Sequence, residues 1–291
     1  MKNVIDEQFL QQIELLSLSV KDNVAGLFGG NHKSKKYGSS CEFADYRDYI
    51  EGDDVTKIDW NLYGKFERMY LKLYLDERQM QTRIYIDGSA SMAAGGKGEY
   101  ALRLAAAFSY LSLKDMDKVN IYLLKGTQAV PLLENVIGKD AFLNSIGKLN
   151  HVDFEGETFI SEAILKSMVG YGDGKSILIS DFLTDNNYTD AIDYLRGKKR
   201  DVLCLQLLSD EELHPTFRGK MILHDSENDQ KFFKDNINRD VLAAYKKALA
   251  YVTEKAENFC HSREAEYLLL STKDDMKELF LNRMNQRGII R

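Results

Sequence analysis

Hydrophobic and polar positions along this chain follow two periods in alternation. Phe9, Ile13, Leu16 and Val20 recur at helical spacing behind Asp6, a suitable N-cap, with Glu7 in the first turn, and predict a helix over residues 6–20. From Gly26 to Ser40 the pattern gives way to Gly, Ser, Asn and Lys and reads as an exposed loop. Residues 42–60 then crowd aromatics and charges around Gly52-Asp53-Asp54, which reads as a packed extended segment with Trp60 anchoring it to the main domain. Tyr70 to Leu75 alternates and predicts a strand entering that domain.

Beyond residue 81 short apolar runs and helical stretches take turns. Strands are predicted at 83–87, 119–124, 129–133, 176–181, 202–208 and 267–270. Between them fall helices at 100–113, 139–149, 160–169, 191–199, 240–262 and 273–285. Leu102, Ala105, Ala106, Ser109 and Leu113 mark the buried side of the first of these helices. Lys125-Gly126-Thr127 is short enough to join its flanking strands as an antiparallel hairpin, and two runs about Asp225-Ser226-Glu227-Asn228-Asp229 predict a second, exposed one. This order defines an α/β class with a doubly wound, mostly parallel sheet. The chain divides into an N-terminal extension, 1–81, packed on a domain of residues 82–291 that carries the hairpin insertion near 219–234. There is no internal repeat.

Bulk composition narrows the function classes. The 291 residues, 44% hydrophobic and 29% charged, describe an ordinary globular chain able to bury a large core. A net charge of -6 gives no basic footprint for nucleic acid, and the lysines at 33, 35 and 36 read as a solvated loop because no aromatic platform interleaves them. Cys41, Cys204 and Cys260 form no disulfide framework, which fits a reducing compartment. The N-terminus lacks an apolar signal core, and Arg103 interrupts the most apolar long window, so no membrane span and a cytoplasmic location are expected.

The candidate chemistry sits in Asp87-Gly88-Ser89-Ala90-Ser91, directly after the apolar run 83–86. In extended backbone Asp87, Ser89 and Ser91 line one face, so a carboxylate and two hydroxyls would converge past the carboxyl end of a buried strand, where open α/β sheets bind ligands. Hard, oxygen-seeking cations accept such a set, although a bare D-x-S-x-S also fits a plain Gly/Ser turn. Downstream, Thr158 stands before the helix at 160, and Asp181 ends a second buried strand. Asp53, Asp54 and Asp59 are read instead as acids that bond their own turn backbone, and Cys260-His261 as packing within a helix.

Other chemistries lack their residues. Gly95-Gly96-Lys97-Gly98 is no phosphate loop, since Ser91 stands where the leading Gly belongs and Gly98 where Ser or Thr is needed, and no G-x-G-x-x-G is present. A phosphatase of the haloacid dehalogenase type wants an acid where Ser89 stands, and the G-x-S-x-G of an α/β-hydrolase is missing.

Together Asp87, Ser89, Ser91, Thr158 and Asp181 resemble the metal ion-dependent adhesion site of von Willebrand factor A domains, in order and in approximate separation. Further residues extend the likeness. Glu42-Phe43, Arg47-Asp48-Tyr49, Gly52-Asp53-Asp54, Ile58-Asp59-Trp60 and the Asp225-Ser226-Glu227 hairpin look like a bacterial family of unknown-function proteins built on such a domain, from about Gly38 to Arg287. The resemblance implies the von Willebrand factor A-like fold, a divalent ion, Mg2+ or Mn2+, on those five residues, and a MoxR-type AAA+ ATPase as genetic neighbour. Phe182 departs from the pattern, in which a glycine commonly follows the last Asp.

The expected function is therefore non-enzymatic: a MIDAS-type ion bridging this domain to an acidic side chain of a partner, the MoxR-type ATPase or its cargo. Two rivals stand beside it. One is a Mg2+-dependent hydrolase using the same ion as a Lewis acid, which lacks a general base in the sequence. The other is a scaffold whose contacts are made by residues 38–81.

Overall fold

In the third strand of the chain, Ile84 and Ile86 face one way and Tyr85 the other, and all three are wholly buried. Such a strand needs helices on both faces, and the computed structural model supplies them. It describes residues 3–23, 43–74, 80–114, 117–172, 174–216, 219–224 and 232–287. The expected loop at 26–40 and the tip of the second hairpin lie outside them.

The elements in chain order begin with α1 (Glu7–Asn23), β1 (Phe43–Asp48), α2 (Trp60–Phe66) and β2 (Tyr70–Tyr74). The main sheet starts with β3 (Gln81–Asp87), followed by α3 (Lys97–Lys114), β4 (Lys118–Lys125), β5 (Gln128–Val136), α4 (Lys139–Ser145), α5 (Ile160–Lys166) and β6 (Lys175–Ser180). Then come α6 (Thr189–Gly197), β7 (Asp201–Leu208), α7 (Asp210–Leu213), the hairpin β8 (Gly219–His224) and β9 (Phe232–Ile237), α8 (Arg239–Ser262) and β10 (Glu266–Ser271). A closing helical segment, 276–286, passes through a π-helical turn at Leu279–Arg283.

Six strands form one sheet in the order β10-β7-β6-β3-β4-β5, all parallel except β5, which returns antiparallel along β4 as the short Lys-Gly-Thr connection requires. The molecule is thus a mixed α/β protein with a mostly parallel central sheet flanked by helices. On one face α1, α3, α4 and the closing segment cover Ile84, Ile86, Ile121, Ile177, Ile179 and Leu205. On the other, α5, α6 and α8 cover Tyr85, Leu178 and Cys204. Alanines 101, 105, 106 and 107 let α3 lie close to the sheet, and Phe108 meets Phe280 at 4.9 Å between ring centroids.

The α1 helix belongs to this core. Asp6 accepts the Phe9 amide at 2.8 Å as its cap, and Phe9, Ile13 and Leu16 are buried, each worth about 1.5 to 3 kcal/mol. Asn150 clamps the preceding backbone by accepting from Ile5 N–H and donating to Ile5 C=O.

Two expectations for the extended segment need correction. β2 does not enter the main sheet; it pairs antiparallel with β1 in a separate two-stranded sheet. Trp60 is no anchor, being 60% exposed and edge-on to Tyr63, because Asp59 caps α2 there and starts the helix with the indole outward. Ile58 supplies the burial instead, bridging to Leu71.

Candidate functional site

Strand order reverses beside β3. The chain runs from β3 outward through β4 to β5, then returns to lay β6 on the opposite side of β3. A crevice outside the carboxyl ends of two strands that diverge in this way is where open α/β sheets hold ligands. Asp87 ends β3, and Asp181 follows β6.

The loop after β3 is shaped from its own sequence. Gly88 donates its N–H to Leu124 C=O at 2.9 Å, and a Cβ there would stand 2.4 Å from that same oxygen, so only glycine fits. Asp87 Oδ1 accepts the Ser89 N–H at 3.0 Å, which turns the chain and leaves the Ser89 and Ser91 hydroxyls 3.0 Å apart. Backbone bonds from Ala90 to Gly156 and from Glu155 to Gly88 zip this loop to the one before α5. Thr158 Oγ1 donates to Leu124 C=O at 3.2 Å, so its hydroxyl and the Gly88 amide share one acceptor.

The second carboxylate is held from several sides. Ser180 Oγ donates to Asp87 Oδ2 at 2.6 Å and accepts from Phe182 N–H, tying the two strand tips together. Leu183 N–H donates to Asp181 Oδ1, and Gln206, whose Oε1 accepts from the Tyr267 hydroxyl, donates through Nε2 to Asp181 C=O at 2.7 Å. Lys97 Nζ sits 2.8 Å from Asp181 Oδ2 and 2.7 Å from Glu212 Oε1. All five residues singled out in the sequence are thereby brought to the carboxyl end of the sheet at β3 and β6, with Asp87, Ser89, Thr158 and Asp181 buried and Ser91 half-buried.

Phe182 takes a left-handed φ of 51°, the backbone conformation a glycine would favour at that place. The departure in side chain therefore leaves a glycine-like bend. Asp53, Asp54 and Asp59 serve their own segment as expected, accepting from Ile50, Thr56 and Asn61 backbone amides.

Electrostatics follow from burial. It pushes the Asp87 carboxyl above its usual range, helped by the charge of Asp181 and opposed by the hydrogen bonds from Ser180 and Ser89. Burial also works against charge on Lys97, but Asp181 and Glu212 outweigh it and hold the ammonium above its ordinary value. Among the described residues no group of three or more His, Cys, Asp or Glu side chains could hold a metal; this end of the sheet offers two carboxylates and three hydroxyls instead.

Sequence reasoning missed four residues that shape this end of the sheet: Ser180, Gln206, Lys97 and Glu212. Gln206 carried a signal, being the one polar side chain between Val202 and Leu208.

An uncharacterised protein of Mycobacterium tuberculosis and one of Mycobacterium bovis are each 23% identical over 234 residues, covering 78% of this chain and 73% of theirs. Among solved structures, an aerotolerance-related membrane protein from Bacteroides fragilis aligns with a TM-score of 0.39 and 18% identity over 71% of this chain and 97% of its own. The pilus adhesin SpaC from Lactobacillus rhamnosus GG, in its open conformation, aligns with a TM-score of 0.43 and 8% identity over 74% of this chain and 30% of its own. No helix among the described residues is long and apolar enough to cross a membrane. The family described as Protein of unknown function DUF58 matches residues 45–255, a stretch that includes most of the β1–β2 sheet, both strand tips and most of α8, and the chain belongs to that family.

Proposed function

We propose that the protein is a metal-dependent interaction module of von Willebrand factor A-like type, in which Mg2+ or Mn2+ at Asp87, Ser89, Ser91, Thr158 and Asp181 engages an acidic side chain of a partner. The partner in this reading is a MoxR-type AAA+ ATPase or its cargo. What carries the proposal is the convergence of these oxygen donors, from three separate stretches of chain, at the reversal of strand order. The donors suit a small hard cation. Carboxylate and hydroxyl oxygens are the ligands such an ion takes, and the Ser89 and Ser91 hydroxyls are already gathered by a hydrogen bond of 3.0 Å.

When bound, the ion would supply a charge left partly unneutralised by the neutral hydroxyls and so attractive to an incoming carboxylate. The chain's own part is orientation. Ser180 and the Ser89 amide aim Asp87, while the Leu183 amide and Gln206 fix Asp181, so both carboxylates are set before any partner arrives.

Protein stripped with EDTA is expected to melt higher when Mn2+ or Mg2+ is added, by about 2.7 kcal/mol at a hundred times the dissociation constant. Asp87→Ala and Ser89→Ala should lose the shift while the sheet, held by Ile84, Ile86, Ile177 and Ile179, keeps its circular dichroism. A melting curve unmoved by both ions would sink the reading. Capture of purified MoxR-type ATPase with and without EDTA tests the partner.

A second reading has its own observation. Ile50, Val55, Trp60 and Phe66 of the β1–β2 unit are each more than half exposed, an apolar surface suited to protein contact. Capture insensitive to EDTA but abolished by Trp60→Ala would favour it.

A further inference from the structure

Lys97 is a whole lysine side chain only 1% exposed, with two acidic partners at its ammonium. Lysine is almost never buried this deeply unless paired, and the sequence builds the placement with care. Gly95 and Gly96 both take left-handed φ, 62° and 75°, which turns the D-x-S-x-S loop into the start of α3. A Cβ on Gly95 would lie 2.4 Å from that of Ser209, so the turn is pressed against the residue that caps α7. Glu212 completes that cap by accepting the Ser209 N–H through Oε2 at 2.7 Å, while its Oε1 holds Lys97.

We infer that Lys97 is a tethered counter-cation of the candidate ion site, competing with a divalent ion for Asp181 Oδ2 and keeping Glu212 as its alternative partner. This rests on the ion-binding reading above and adds to it a residue that lowers the affinity. The charges give the reason. The site sets three carboxyl groups, Asp87, Asp181 and Glu212, against the one ammonium of Lys97, an excess of two acids that a divalent cation would balance. Without an ion, Lys97 balances the charge of Asp181 directly. With one, two cations face the same carboxylate, and the ammonium retains a partner in Glu212, which is 26% exposed and anchored by its cap. Like charges so placed repel, and the repulsion reduces the affinity for the ion.

The competition fixes opposite signs for two substitutions that break the same ion pair. Lys97→Met takes away the rival cation and leaves three acids. Glu212→Gln keeps the cap acceptor but leaves Lys97 only Asp181 and lowers the excess of acids to one. A purely structural role for the pair would weaken ion binding in both.

The experiment is calorimetric titration of MnCl2 into EDTA-stripped wild-type, Lys97→Met and Glu212→Gln full-length protein, with circular dichroism and ion-free melting of each. The expected result is Mn2+ binding about ten-fold tighter in Lys97→Met, with a lower ion-free melting point, and several-fold weaker in Glu212→Gln. Binding seen only in Lys97→Met also supports the inference, since it means the ammonium excludes the ion from the wild type. The inference is overturned if the wild type binds Mn2+ and a folded Lys97→Met binds it no more tightly. Should Lys97→Met not fold, Lys97→Gln takes its place under the same two outcomes, and Glu212→Gln binding as tight as wild type or tighter still overturns the inference. No binding in any of the three removes the ion reading itself and this inference with it.

Discussion

Phe182 occupies a left-handed bend that costs a bulky L-residue about 1 to 2 kcal/mol, yet its ring is buried and lies 5.0 Å from that of Tyr188. Truncating a buried Phe typically costs about 3 to 5 kcal/mol, so burial outweighs strain here. Phe182→Gly is accordingly expected to lower stability by about 2 kcal/mol in urea unfolding; a gain would show that the bend, and not the ring, governs the position. Gln206 poses the converse case. Gln206→Leu would leave the Asp181 carbonyl and the Tyr267 hydroxyl buried without their partner, at about 1 to 3 kcal/mol for each group. Its unfolding midpoint should fall by more than that of Phe182→Gly, and Mn2+ binding should weaken with it. At this scale the sequence was legible where chemistry is contiguous: Asp87, Ser89 and Ser91 fall in one loop, although a tight 3-10 turn over Ala90–Gly96, and not an extended face, brings the two hydroxyls together. Lys97 and Glu212 lie 115 residues apart, and a lysine beside three glycines looks like a surface loop until the fold delivers its acids.

Among the elements, the β1–β2 unit with α2 is the one whose placement the sequence did not disclose. Mixed aromatics and charges without a clean period give no face to a segment, so Trp60 could be read as buried when it is exposed. The acids were more readable, because carboxylates beside Gly and before a helix have local donors. All three titrate below the ordinary Asp range: Asp53 through Arg47 and the Ile50 amide, Asp54 through Thr56, and Asp59 because hydrogen bonds from Tyr46, Leu62, Lys72 and Asn61 outweigh the opposing effect of burial. Depressed folded values mean that their contribution is complete above the unfolded range, about pH 4, and is lost as pH falls through the folded values. Trp60, the sole tryptophan, reports on this unit directly. Its fluorescence should change below about pH 4 before the far-ultraviolet circular dichroism of the main sheet does. Coincident transitions would mean that the unit and the sheet fail together.

For the whole molecule, the order of strands and helices was legible because buried parallel strands and their covering helices have different periods. The antiparallel β5 followed from a short connection. What the pattern could not give was the side of β3 on which β6 would lie, since neighbouring parallel strands exchange no signal along the sequence. That adjacency has a consequence in time. Ser180 bonds Asp87 across 93 residues, so the sheet end where their strands meet is completed only after the second half of the chain has docked. Contacts of such long loop closure form late, which makes the proposed ion a latecomer to the folding reaction. Stopped-flow measurements should then show that Mn2+ slows unfolding in proportion to the stability it adds and leaves the refolding rate nearly unchanged. An ion that instead speeds refolding would place the β3–β6 pair in the nucleus, and the first half of the chain would be waiting for metal rather than for β6.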